Sequence, residues 1–293
     1  MGAWVLWGLL KQAFAGWRIH KDSRLAAAIA YYTIFSLAPL LVIVVAVAGA
    51  IFGEAAAKGE LSQQIGNLVG EDLVPLIEGM VESAGRFRSG LLAWVVGAIA
   101  LIIGATGVFA ELQDALDTIW EVPQQGSLKG MLKARLLSFL VILAIGMLLL
   151  ALLLAGAALT VIGRLASSLP GLAEALDVLN FLLSFALITV LFAVIYKILP
   201  SVKTRWSDVW AGAALTSLLF TVGKLLLGFY LASGRMRSAY GAAGSVIILL
   251  FWIYFSAEIL LFGAEFTRVY TGLHDRSAEP AKQVVEEEKN EEG

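Results

Sequence analysis

The sequence predicts an all-α membrane protein, a polytopic bundle of six transmembrane helices. Six apolar stretches carry this prediction, each about 19 residues or longer, which is enough to cross about 30 Å of hydrocarbon. Apolar residues make up 59% of the chain and charged residues only 15%, against about 25% charged residues in soluble domains. The stretches lack the alternating pattern of strands in a membrane β-barrel, so we expect helices, in which the backbone hydrogen bonds are satisfied within each span. The predicted spans cover residues 25–52, 91–109, 136–162, 179–199, 209–231 and 244–266.

Residues 1–24 precede the first span and predict an amphipathic helix at the membrane interface. Apolar residues recur at helical spacing on one face, and Lys11, Gln12 and Arg18 lie on the opposite face. Such a helix either lies in the headgroup region or packs as a short helix over the base of the bundle, and both readings stay open. The apolar face comprises Leu6, Leu10, Ala13, Phe14 and Trp17.

The placement of lysine and arginine predicts the orientation in the membrane. The N-terminal segment, the segments after the second and fourth spans, and the C-terminal segment carry 14 of these residues, whereas the other side carries 6. Because basic residues accumulate on the cytoplasmic side, both termini are predicted to be cytoplasmic. The transmembrane domain then covers residues 25–272. The acidic segment 273–293 is predicted to be a disordered cytoplasmic tail, because its composition buries little apolar surface.

The longest external segment, residues 53–90, contains two apolar stripes at helical spacing. We therefore expect two amphipathic helices on the outer face of the membrane. On the opposite side, the second span continues as a helix beyond the membrane until Pro123, which would end it. Glu111 and Asp114 share one face of this extension, which is either a solvated helix face or part of a solute path.

Three charged residues interrupt the fifth and sixth predicted spans. Lys224 lies in the fifth span, and Glu258 and Glu265 lie one heptad apart in the sixth. A charge at the centre of a bilayer costs about 2.5–3.5 kcal/mol on insertion scales, so such residues normally face the bundle interior and find a partner. We expect Lys224 and Glu258 to be coupled directly or through water. The coupling either locks two helices together or lines a path for a solute or proton.

A second polar group is predicted in the first span. Pro39 removes a backbone hydrogen bond and is expected to kink this helix. Tyr31, Tyr32 and Ser36 place hydroxyl groups just before the kink, and broken helices of this kind line substrate cavities in transporters. Packing alone also explains a proline kink. Tyr240, before the glycine-rich start of the sixth span, completes the predicted translocation path.

The sequence predicts no enzyme, no cofactor and no metal site. The chain has no cysteine, and its two histidines, His20 and His274, lie outside the predicted spans. A phosphate-binding loop and a nucleophile elbow are both absent from the sequence. The net charge of −2 gives no basic surface for nucleic acid.

Four sequence motifs resemble those of the YihY/BrkB family of bacterial inner-membrane proteins, once mislabelled ribonuclease BN. The motifs read AYYTIFSLAP at 30–39, LQDALDTIW at 112–120, YKILP at 196–200 followed by Trp206, and YGAAGS at 240–245. The resemblance covers about residues 10–272. It implies six transmembrane helices, cytoplasmic termini and the bacterial inner membrane. Members of this family have been linked to serum resistance, to osmolyte or cation transport, and to lipid-linked export.

Together these features predict a transporter or lipid flippase-like protein. It would move a small solute or a lipid-linked substrate along a polar path between the helices, with membrane lipids as its surroundings. The alternative is a non-transporting membrane scaffold that supports envelope integrity, in which the charges only stabilise the bundle. The substrate, the direction and energy source of transport, and a homo-oligomeric state all stay open.

The orientation can be tested by cysteine labelling, since the natural chain has no cysteine. A Ser62→Cys variant should react with a membrane-impermeant maleimide added from outside the cell, because Ser62 lies in the predicted external segment. Labelling only after the cytoplasmic face is opened would reverse the topology.

Overall fold

The structure is a computed structural model, and it describes residues 3–35, 74–75, 78–79, 82, 107–122, 172–202, 204–232 and 244–291. Within these ranges the regular structure is entirely helical, which confirms the all-α class. Six helices account for it, counting only the described segments longer than two residues. They are α1 (Ala3–His20), α2 (22–35), α3 (107–119), α4 (Leu172–Ile198), α5 (Trp206–Ala232) and α6 (Gly244–Glu291).

Three of the described helices are long and apolar enough to cross a membrane. The qualifying segments are Phe181–Ile198 in α4, Trp206–Phe229 in α5 and Val246–Leu273 in α6. They coincide with the predicted fourth, fifth and sixth spans. The predicted spans 25–52, 91–109 and 136–162 lie mostly outside the described residues, so the count of six stays a prediction. Ser36, Pro39 and Tyr240 also lie outside the described residues.

The C-terminal tail differs from its prediction, whereas the described part of the external segment agrees with it. The acidic tail predicted to be disordered over 273–293 is helical as far as Glu291, because α6 continues without a break. A helix that is already formed elongates without a new nucleation cost, and the tail is rich in Glu, which favours helix. In the external segment 53–90, the five described residues at 74, 75, 78, 79 and 82 are all helical. The remainder of that segment lies outside the described ranges.

The described helices pack α4 against α5, α5 against α6, and α1 against the C-terminal half of α6. One core joins α2 to α6 through small and branched apolar side chains, with Leu116, Tyr196 and Leu261 fully buried near its centre. A second, smaller core joins α1 to α6 through Leu9, Ala13 and Phe266. Helix α1 therefore packs on the bundle with one face.

The outer surface of the long helices is apolar, and the mainly apolar interior also contains several polar side chains. Large apolar side chains such as Phe181, Leu226 and Phe251 are exposed on α4, α5 and α6. A water-soluble protein rarely exposes so many, whereas lipid tails surround such a surface without cost. Hydroxyl groups point inward instead and donate to carbonyl oxygens four residues earlier, which satisfies them inside the bundle. These hydroxyls belong to Thr189, Thr216, Ser217, Thr221, Ser256, Thr267 and Thr271.

Helices α5 and α6 are interlocked by a reciprocal glycine–threonine contact. Thr216 of α5 lies over Gly263 of α6, and Thr267 of α6 lies over Gly212 of α5. Each threonine donates to the carbonyl oxygen of the glycine one turn earlier in its own helix, at 2.7 Å in both cases. The Tyr196 hydroxyl joins this contact, 2.9 Å from Thr216 Oγ1 and 2.7 Å from the Leu260 carbonyl that it donates to. Only glycine lets the two backbones approach so closely.

Replacing Gly263 with alanine should destabilise the bundle. The new Cβ would lie 3.0 Å from Thr216 Cβ and closer still to Thr216 Oγ1 and the Tyr196 hydroxyl, an overpacking that costs about 1–3 kcal/mol. Thermal unfolding in detergent measures the effect. The matched control is Gly272→Ala in the same helix, where the added Cβ meets nothing within 4 Å and where alanine favours helix by about 0.5–1 kcal/mol. Equal melting temperatures for the two variants would contradict the interlock.

Candidate functional site

A break between α1 and α2 brings two ionisable side chains onto α6. Lys21 directly follows α1 and has a φ of 59°, in the left-handed region that non-glycine residues rarely adopt. The Arg24 amide donates to the Lys21 carbonyl at 2.8 Å and starts α2 after this turn. Because of the turn, His20 and Asp22 both face Glu265 of α6, with one ligand-type atom of each within 4.8 Å of the others.

His20 and Glu265 form the closest contact of this group. His20 Nδ1 lies 2.5 Å from Glu265 Oε1, and the two side chains are 11% and 0% exposed. Gly16, one turn before His20 on α1, makes room for the carboxylate. A Cβ at Gly16 would lie 2.8 Å from Glu265 Cδ, and closer to Oε2. The absence of a side chain at Gly16 is therefore what lets α1 lie directly on a buried carboxylate.

Asp22 is the least satisfied member of the group. The residue is 0% exposed, and neither carboxylate oxygen has a hydrogen-bond partner within the described part of the chain. Burial raises the pKa of Asp22 from 3.8 to about 8, and the neighbouring Glu265 and Glu258 carboxylates add to this, whereas Arg268 opposes it. An unsatisfied buried carboxylate costs stability, so its presence points to a role beyond packing.

Glu258 lies two turns before Glu265 on α6 and is held by neutral donors. Trp17 Nε1 donates to Glu258 Oε2 at 2.7 Å, and the Tyr254 hydroxyl donates to Oε1 at 2.6 Å. Trp17 and Tyr254 thus each donate to one oxygen of the Glu258 carboxylate. The coupling of Glu258 to Lys224, directly or through water, stays a prediction.

Glu121 and Arg268 close the group on its exposed side. Arg268 Nη1 lies 2.5 Å from Glu121 Oε1, Arg268 Nη2 lies 3.4 Å from Glu265 Oε2, and His20 Nε2 lies 3.6 Å from Glu121 Oε1. Glu121 itself is 67% exposed. We call the set His20, Asp22, Glu121, Glu258, Glu265 and Arg268 the carboxylate cluster.

The C-terminus of α3 aims Glu121 at this cluster. The Glu121 amide donates to Thr118 O at 3.1 Å and the Val122 amide to Asp117 O at 2.9 Å, which is a Schellman end. The residue at its left-handed position is usually glycine, yet here it is Glu121, with a φ of 53°. Together with Lys21 it is one of two non-glycine residues with positive φ in the described ranges, and both border the carboxylate cluster. Such outliers concentrate at functional sites.

The other predicted site residues that the structure describes lie on α2, α3 and α5. Lys224 is half-buried in α5, and Glu111 and Asp114 lie on α3, where burial and then Asp114 raise the pKa of Glu111. On α2, Tyr31 and Tyr32 are both exposed, and the Tyr32 ring also lies against Gly107 at the start of α3. Of the predicted path, the described structure thus brings together Glu258 and Glu265, and adds residues from the N-terminal segment that the sequence left out.

Two of the sequence motifs contact each other where the end of α3 meets the turn between α4 and α5. The Asp117 carboxylate accepts hydrogen bonds from Ser201 N and Ser201 Oγ, both at 2.7 Å, just after α4. Lys197 donates to the Thr204 carbonyl, and its ammonium lies 5.6 Å from the centre of the Trp206 ring. These contacts fix the turn between α4 and α5 and the end of α3, so the motif residues Asp117, Lys197 and Trp206 have a structural role.

The apolar outer surface, the satisfied polar interior and the buried charges define an α-helical membrane protein. Comparison with known families agrees, because residues 13–287 match the family model described as "Virulence factor BrkB". The chain belongs to the YihY/BrkB family of membrane proteins, as its four motifs had indicated.

Bacterial relatives described as UPF0761 membrane proteins extend this match. One from Rhodospirillum centenum is 30% identical over 264 residues, covering 89% of this chain and 56% of the relative. One from Tolumonas auensis is 32% identical over 253 residues, covering 83% of this chain and 78% of the relative. One from Actinobacillus pleuropneumoniae is 27% identical over 277 residues, covering 88% and 91%. The chain thus spans little more than half the length of the first relative. No solved structure matches it.

Asp22→Asn should remove a pH dependence of stability. Between pH 3.8 and about 8 the folded chain holds a proton on Asp22 that the unfolded chain has released, so stability falls as pH rises through this window. The melting temperature of the unchanged protein, measured in detergent with EDTA from about pH 5 to pH 9, should fall up to about pH 8 and then level off. The amide introduced by the substitution does not titrate, so the variant should lose less stability over the same range. Identical slopes for both proteins would contradict the assignment.

Proposed function

We infer that this protein is a transporter or lipid flippase-like protein that moves a small solute or a lipid-linked substrate through a polar path between its helices. The observation that carries this inference is the carboxylate cluster. In this cluster, Asp22 and Glu265 have no exposed surface and lie near a third carboxylate, Glu258. Glu258 and Glu265 both belong to α6, the last described helix that is long and apolar enough to span a membrane. Buried charges are expensive in a membrane protein, and where they occur they usually serve substrate, ion or proton movement.

The rest of the proposed path is drawn from polar residues on neighbouring helices. Lys224 lies on α5, and Glu111 and Asp114 lie on α3. Tyr31 and Tyr32 on α2 provide hydroxyl groups, and Ser36 and Tyr240 belong to the path as the sequence predicts it. If the protein lies in a bacterial inner membrane with both termini in the cytoplasm, the carboxylate cluster would lie near the cytoplasmic end of the helix bundle. Lipids and the transported molecule are the proposed partners, with no enzymatic step.

One observation favours the scaffold alternative. The contacts of His20, Glu121 and Arg268 tie α1, α3 and α6 to one another, so the charges could act only as a lock between helices. The two functions differ in a measurable way. A transporter needs the charges for flux as well as for folding, whereas a scaffold needs them for folding alone.

Reconstitution into liposomes distinguishes the two. Lipid movement is followed with a nitrobenzoxadiazole-labelled phosphatidylethanolamine and external dithionite. Solute movement is followed by the swelling of vesicles in zwitterionic, cationic and anionic solutes. The unchanged protein should give a rate above protein-free vesicles in at least one assay. Glu258→Gln and Lys224→Met should each lower that rate at least tenfold while the melting temperature shifts by only a few degrees.

The matched control is Lys11→Gln, which neutralises an exposed charge on α1 away from the carboxylate cluster and should leave the rate unchanged. If Glu258→Gln and Lys224→Met lose flux only to the extent that they unfold, the result would favour the scaffold. A folded, unchanged protein with no flux in either assay would overturn the transport proposal.

A further inference from the structure

We propose that His20, Asp22 and Glu265 form a binding site for a divalent transition-metal ion of the zinc class. Their ligand atoms, one imidazole nitrogen and two carboxylate oxygens, come from α1, α2 and α6 and lie within 4.8 Å of one another. This site is independent of the transport proposal, since it requires only that the chain binds the ion.

Unpartnered oxygen atoms distinguish this site from an ordinary acidic group. Asp22 is fully buried and faces the other two ligands, and neither of its oxygens has a hydrogen-bond partner among the described residues. Glu265 Oε2 is also buried without a hydrogen bond, 3.4 Å from Arg268 Nη2. Buried polar atoms normally have partners, and a bound cation would supply the missing one to Asp22.

The charge balance favours a cation as well. Four carboxylates, from Asp22, Glu121, Glu258 and Glu265, surround one guanidinium, from Arg268. With a neutral imidazole and every carboxylate ionised, the carboxylate cluster would hold an excess of three negative charges, and a divalent ion that displaces the proton from Asp22 would reduce this excess to one. Since Asp22 and Glu265 have no exposed surface, solvent screens this excess poorly.

The surroundings of His20 suit a metal ligand. Its Nδ1 faces Glu265, and its Nε2 faces the Glu121 carboxylate at 3.6 Å. A carboxylate at the outer nitrogen favours the proton there and leaves the inner nitrogen free to bind the ion, as is usual for metal-bound histidines. On binding, the ion would replace the short His20–Glu265 contact. Bonds of about 2.0–2.2 Å would then require the ligand atoms to move by about 1 Å.

The donor set selects the class of ion. Mg²⁺ and Ca²⁺ prefer oxygen ligands alone, whereas one imidazole with carboxylates suits Zn²⁺ or Mn²⁺. Three protein ligands leave the remaining coordination to water. The exposed Glu121 marks the side from which the ion would enter.

Direct metal binding tests the proposal. The full-length protein is purified in detergent and stripped with EDTA. It is then titrated with Zn²⁺ and Mn²⁺ by calorimetry, and the metal content is measured by mass spectrometry after dialysis. We expect one Zn²⁺ per chain and a higher melting temperature in its presence, because an ion that binds only the folded state stabilises it. Mg²⁺ and Ca²⁺ should bind at least tenfold more weakly.

Variants identify the ligands. His20→Ala and Asp22→Asn should each weaken Zn²⁺ binding at least tenfold and abolish the shift in melting temperature. His274→Ala, which removes the other histidine of the chain, should leave both unchanged. Asp22→Asn keeps the shape of the side chain and removes an unsatisfied charge, so it gives a folded variant even if His20→Ala does not.

Three results would overturn the site: no saturable binding by the unchanged protein, full Zn²⁺ affinity in Asp22→Asn, or tighter binding of Mg²⁺ than of Zn²⁺. None of them bears on transport, because a protein that binds Zn²⁺ but moves no substrate would keep this site and lose only the transport function.

Discussion

Burial of the Glu265 carboxylate governs how the described helices meet. The side chain has no exposed surface, and an isolated charge in that position would cost several kcal/mol. Its partners therefore converge on it from separate helices, His20 from α1 and Arg268 from the next turn of α6. Gly16 lets α1 approach closely enough to cover the carboxylate. The docking of α1 and the positions of the left-handed turns are thus consequences of one buried group.

Backbone strain at the two turns is the conformational cost of this arrangement. Lys21 and Glu121 adopt positive φ values although neither is glycine, at a typical cost of about 1–3 kcal/mol each. Glycine would relieve the strain at both positions. At Glu121 it would also remove the carboxylate that contacts Arg268 and faces His20. Glu121 therefore combines an unfavourable backbone conformation with a side chain that contacts Arg268.

Local patterns explain what the sequence predicts well, and contacts between residues far apart in the chain explain what it misses. Apolar length alone predicts α4, α5 and the membrane part of α6, because the bilayer fixes the length of a spanning helix. Glu258 and Glu265 stand out for the same reason, as charges inside an apolar run. His20 and Asp22 carry no such mark, since they lie in a polar segment before the first predicted span and reach the cluster only through the Lys21 turn. The sequence of α1 did contain a signal for its packing on α6, because Leu9, Ala13 and Gly16 share the face that makes this contact.

The two faces of α1 link the membrane surface to the buried charges. One face packs on α6 through small residues, while Trp4, Trp7 and Phe14 are exposed beyond it. Exposed aromatic side chains of this kind favour the membrane interface. Packing on α6 is thus observed, and the interfacial position of the helix stays a prediction. Trp17 and His20 extend from the same helix to Glu258 and Glu265. A displacement of α1 from α6 would therefore leave both carboxylates without their N-terminal partners, so the position of this helix would depend on protonation of the carboxylate cluster or on an ion bound there.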